Sequence, residues 1–147
     1  MKKMRTMNKR LNIWLYLAII MTLVIWMNST FNAEVSSQQS GFLVDLFQKS
    51  LRVIHVNIEY SIASQYIRTL AHFMQFFVLS ILWGYYFVKH KHWMIWILSI
   101  VLFTAIIDES IQLFSDGRAF EIFDIGVDFI GGFFGMIYHL GLRSNKK

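Results

Sequence analysis

A short set of ionisable and amide side chains stands out in an otherwise apolar chain. Asp108, Glu109 and Gln112 fall within five residues, and Arg118 follows in a polar stretch. Asp124 and Asp128 come next, with Arg68 and His72 some forty residues upstream. Asp108 and Gln112 are four apart, as are Asp124 and Asp128 and also Arg68 and His72, so each pair shares one face of a helix. Gln75 continues the Arg68 and His72 face one turn further. Carboxyls in different surroundings supply an acid and a base, since burial holds one protonated while a positive neighbour keeps another ionised. Guanidinium groups bind phosphate or carboxylate. His72, Glu109, Asp124 and Asp128 are therefore the candidate acid–base groups, and Arg68, Gln112 and Arg118 the candidate binding groups. One histidine among several carboxyls could hold a divalent cation, but no HExxH-like spacing backs it, and the site is read without metal or cofactor. The same residues also fit a buried ion-pair network that only locks helices together.

The elements that must carry these groups are apolar. The chain of 147 residues is 56% hydrophobic and 17% aromatic, with 16% charged residues. That balance fits a single all-α polytopic membrane domain over residues 1–147. Four spans are expected at about 11–27, 68–88, 93–114 and 122–142, with an external segment over 28–66. The absence of cysteine excludes a disulfide framework, a thiol nucleophile and a zinc–thiolate centre. The absence of proline leaves kinks to glycine or irregular hydrogen bonding. No P-loop, dinucleotide fingerprint or G-x-S-x-G elbow is present.

The basic N-terminal stretch before the first apolar run resembles a signal peptide. The run is long for one, however, and only Asn32-Ala33-Glu34 and Val35-Ser36-Ser37 approach a cleavage site, so an uncleaved span is expected. In 28–66, Phe42, Leu43, Leu46, Phe47, Leu51 and Ile54 recur at helical spacing. This predicts an amphipathic helix that lies in the membrane interface or covers the bundle. Asp116-Gly117 marks a turn before the last span. Gly131 and Gly135 form a GxxxG, a pattern of close helix packing.

The net charge of +5 does not indicate nucleic acid, because the basic residues flank apolar runs. Ten of the fourteen Lys and Arg residues fall in the N-terminal stretch, the 88–92 turn and the C-terminal tail. Lys49, Arg52, Arg68 and Arg118 are the other four. Basic loops stay inside, so both termini are expected in the cytoplasm and all nine acidic residues at or toward the outer side. His90 and His92 read as turn residues, and His139 as a helix residue near the inner side.

At the polar residues the chain resembles the VanZ-like family of small bacterial membrane proteins. The resemblance is carried by Arg68-Thr69-Leu70-Ala71-His72-Phe73, then Asp108-Glu109-Ser110-Ile111-Gln112, Gly117-Arg118, and Asp124 through Asp128 to Gly131-Gly132. It covers about half the chain, from Arg68 to Gly135, and Thr69 stands where the family more often has lysine. The resemblance implies a bacterial cytoplasmic-membrane protein and an association with low-level teicoplanin resistance. Three functions follow as expectations. The first is an outward-facing pocket that binds an amphiphile or lipid-linked envelope precursor, with or without catalysis. The second is a scaffold docking onto a cell-wall synthesis protein, and the third a small transporter. The nearly apolar inner halves of the spans argue against the transporter.

Overall fold

The structure is a computed structural model that describes the backbone of residues 2–144 and the side chains of residues 13–142. Among the described residues it is all-helical, with five helices in the order α1 Lys2–Ser29, α2 Ala33–Val53, α3 Tyr60–Phe87, α4 Trp93–Gln112 and α5 Ile122–Ser144. Three of them, α3, α4 and α5 up to Leu142, are long and apolar enough to cross a membrane. Ile13–Ser29 of α1 qualifies only jointly with α2, from which it is bent by 112°. The chain thus has three candidate spans, or up to four if the bent pair counts as one.

The break between α1 and α2 has a local cause. Asn32 takes an extended backbone and its side chain accepts the Val35 N–H at 2.8 Å, which caps a new helix. The triplet Asn32-Ala33-Glu34, which approached a cleavage site in sequence, is therefore a helix start. The Ala33 N–H donates to the Asp116 carbonyl at 3.1 Å, tying this corner to the α4–α5 loop. In that loop Gly117 has φ +74°, a left-handed turn that suits glycine.

The helix expected within 28–66 is there as α2, and α3 extends from Tyr60, eight residues ahead of the span expected from 68. Its first two turns interleave Ser61, Ser64 and Gln65 with apolar residues, which breaks the apolar run. In α2 most of the predicted apolar face is left off the bundle. Val44 is fully buried, whereas Phe42, Leu43 and Leu46 are exposed. The side chains turned inward recur at Ser40, Val44, Phe47 and Leu51, a stripe shifted around the helix from the predicted one.

The core sits between α3, α4 and α5 with α1 alongside, and its buried members include Ile25, Phe76, Leu79, Ile97 and Val101. α3 packs most extensively against α5. Gly131 and Gly135 make that possible, because a methyl group at either would run into the Phe73 or Phe77 carbonyl oxygen of α3. Gly132 seats Val101 of α4 in the same way. At the other end of the bundle, buried His139 meets the Ile81 carbonyl through Nε2 at 2.8 Å and packs edge-on against Tyr85.

Candidate functional site

The polar residues of α3 recur at the helical period, at Ser61, Ser64, Arg68, His72 and Gln75. They line one side of a cavity of about 490 Å³. The opposite wall comes from the end of α1 and the start of α2, with Ser29, Ser36 and Ser40, and from Arg118 and Glu121 of the α4–α5 loop. Beside it runs an apolar groove of about 410 Å³, lined among others by Leu46, Phe47, Leu70 and Met74. Leu43, Ile67 and Ala71 line both spaces.

His72 is the meeting point beneath the cavity. Its Nδ1 stands 3.2 Å from Asp128 Oδ1 and 3.9 Å from Asp108 Oδ2. Asp108, Glu109 and Asp128 are fully inaccessible, and His72 is 7% exposed. One ligand-type atom from each of His72, Asp108 and Glu109 lies within 4.8 Å of the others. Arg68 answers a different carboxylate, with Nη2 at 3.1 Å from Asp124 Oδ2 and 3.5 Å from Glu121 Oε1. Asp124 stands in the first turn of α5, where the positive end of the helix dipole also favours its charge.

Asp108 and Glu109 lie in the last turns of α4, where the dipole disfavours anions. Neither arginine comes within 4.0 Å of them. Asp108 Oδ1 accepts the Ser29 hydroxyl at 2.5 Å and Oδ2 accepts Gln112 Nε2 at 3.3 Å. Glu109 Oε1 accepts the same amide nitrogen at 2.8 Å, and Oε2 accepts the Glu121 backbone N–H at 2.9 Å. Ser115 then closes the corner by donating to the Ser29 carbonyl at 2.7 Å.

Arg118 makes no ion pair within 4.0 Å among the described residues, and its Nε is buried without a hydrogen-bond partner. Burial and the neighbouring Arg68 both lower its pKa from the ordinary guanidinium value, against the pull of Asp108, Glu109 and Asp124. Two guanidinium groups thus line one cavity, one of them unpaired. That arrangement attracts an anion, and Arg suits phosphate or carboxylate in particular.

All seven candidates from the sequence are in or against this cluster, and they divide among separate partners. Asp124 goes to Arg68 and Asp128 to His72, while Glu109 is held by Gln112 and a backbone amide. Sequence reasoning missed Ser29, Ser61, Ser64 and Glu121. The signal for the α3 serines was present, since stepping back from Arg68 by helical intervals lands on Ser64 and Ser61. Nothing local marked Ser29, which reaches Asp108 across 79 positions.

No curated protein and no solved structure matches the chain. A family model described as VanZ/LLP1 matches residues 13–142, which takes in every residue of the cluster. With nearly the whole chain inside that match, the protein belongs to the VanZ/LLP1 family.

Proposed function

We propose that the protein sits in the bacterial cytoplasmic membrane and binds an amphiphile with an anionic head at its outer face. In this reading α1, α3, α4 and α5 cross the bilayer, α2 lies at the outer interface, and both termini are cytoplasmic. The ten basic residues in the N-terminal stretch, the 88–92 turn and the tail support that orientation. The ligand class is a membrane lipid or lipid-linked envelope precursor.

The observation that carries the reading is the junction of two unlike spaces. A polar cavity with an unpaired arginine adjoins an apolar groove, and Leu43, Ile67 and Ala71 belong to both. A charged head fits the first and an acyl or prenyl chain the second. Arg118 and Arg68 would hold the head, with Gln112 bracing the carboxyls behind it. His72 lines the cavity with Asp128 against its Nδ1, so it is the group best placed to exchange a proton with the bound head. Glu109 and Asp124 are the acid–base candidates behind it. Tolerance of teicoplanin, a drug bearing an acyl chain and acting on outer-leaflet precursors, is the phenotype to score alongside.

Native mass spectrometry of the detergent-solubilised protein tests this with undecaprenyl phosphate, phosphatidylglycerol and phosphatidylcholine. The phosphate-bearing anionic lipids should stay bound, and Arg118→Ala should weaken them by ~10-fold, the worth of one charge-assisted contact. Equal retention of phosphatidylcholine, or no effect of Arg118→Ala, would refute the reading.

A further inference from the structure

The cluster beneath the cavity has a charge imbalance that its own side chains do not correct. Asp108, Glu109 and Asp128 are buried completely around a single imidazole. If all three carboxyls ionise and His72 is protonated, three negative charges against one cation leave two uncompensated. Arg68 is engaged by Asp124 and Glu121, and Arg118 comes within 4.0 Å of none of the three. Isolated buried charge is costly unless a counter-charge, a metal or a proton answers it.

A second observation points to a ligand. Asp128 Oδ2 is buried and has no hydrogen-bond partner, although its sister oxygen holds His72. Such an atom in a native fold calls for an ion, a proton or a water.

We infer that His72, Asp108 and Glu109, with Asp128 beside them, form a binding site for a divalent transition-metal cation of the Mn²⁺ or Zn²⁺ type. Their ligand atoms already converge to within 4.8 Å, and one imidazole with carboxylates is a donor set such ions accept. The outer contacts are those a metal site needs. Ser29 and Gln112 orient Asp108, and Gln112 and the Glu121 N–H orient Glu109. Asp128 Oδ1 lies 3.2 Å from Nδ1, the ring nitrogen that also faces Asp108 Oδ2 at 3.9 Å, so an ion on Nδ1 would take the place of that contact. Each accepting oxygen keeps a lone pair for the cation. His72 lines the polar cavity, which provides a route in from outside. HExxH-like spacing is not required, because the histidine comes from α3 and the two carboxylates from α4. The site stands whether or not an amphiphile binds above it.

Direct metal binding tests this, with protein purified on a tag that contains no histidine. After incubation with Mn²⁺ or Zn²⁺ and desalting, about one ion per chain should remain, and the melting temperature should rise by several degrees. His72→Gln and Asp108→Asn should each cut retention by ~10-fold or more, and Gln112→Ala should do so by ~10-fold through ligand orientation. No retained ion and no shift at millimolar metal would overturn the inference, as would retention unchanged in His72→Gln. Should these variants fail to fold, electron spin-echo spectra of Mn²⁺ on the parent protein decide. Modulation from one imidazole nitrogen is expected, and its absence refutes the site.

Discussion

His72 on α3 and Asp128 on α5 stand 3.2 Å apart although 56 positions separate them. The pair ties together the two helices that pack most extensively. Asp128→Ala and His72→Gln should therefore be coupled rather than additive, by on the order of 1 kcal/mol as polar pairs between membrane helices usually are. Melting curves of the two single variants and the double variant measure the coupling. Additivity within error would mean that the contact contributes nothing to the fold.

Glu109→Gln keeps shape and volume but removes charge. A partner cation left stranded in the interior would cost about 3–5 kcal/mol. Glu109 instead accepts from Gln112 Nε2 and the Glu121 N–H. The substitution then sets one amide donor against another, for about 1–2 kcal/mol. A fold that survives with a modestly lower melting temperature is expected, and complete loss of folded protein would show that Glu109 serves an ion pair.

Two alanine substitutions on α5 should differ sharply. At Gly131 the new methyl meets the Phe73 carbonyl oxygen, so α3 and α5 must move apart at a cost of about 1–3 kcal/mol or more. At Gly126 nothing lies within 4 Å, and the gain in helix propensity leaves stability equal or higher by ~0.5–1 kcal/mol. Comparable melting for the two would contradict the packing.

The proposed orientation can be read with an impermeant thiol reagent, because the chain has no cysteine of its own. Cysteines at Gln38 and Asp116 should label in intact cells, and one at Lys91 only after permeabilisation. These three positions are exposed, whereas Ser115 is buried and bonded to Ser29 and would report poorly. Labelling of position 91 alone in intact cells would invert the topology.

The sequence revealed the apolar helices α4 and α5 nearly to the residue, because long hydrophobic runs with polar breaks are unambiguous. It also put Arg68 with His72, and Asp124 with Asp128, on single helix faces, since helical spacing fixes which residues share a face. The partners were less legible. Spacing within α5 puts Asp124 and Asp128 on one side but does not set how α5 is turned against α3. That rotation comes from Gly131 and Gly135 sitting on the Phe73 and Phe77 carbonyls. The packed face of α2 and the start of α3 were less legible for another reason. Their polar residues include Ser40, Ser61 and Ser64, which border a polar cavity, so apolar periodicity was the wrong signal there.

Helix α3 has 28 residues. At ~1.5 Å per residue it is roughly 42 Å long, some 12 Å more than the hydrocarbon core it would cross. With the bundle seated in a bilayer as proposed, the surplus turns carrying Ser61 and Ser64 stand among the lipid headgroups. An amphiphile would then arrive sideways, keeping its chain in the leaflet while its head slides in beside Arg68. Capture of this kind never lifts the molecule into water, so its rate follows lateral diffusion and surface density in the outer leaflet, and bulk concentration has no bearing on it.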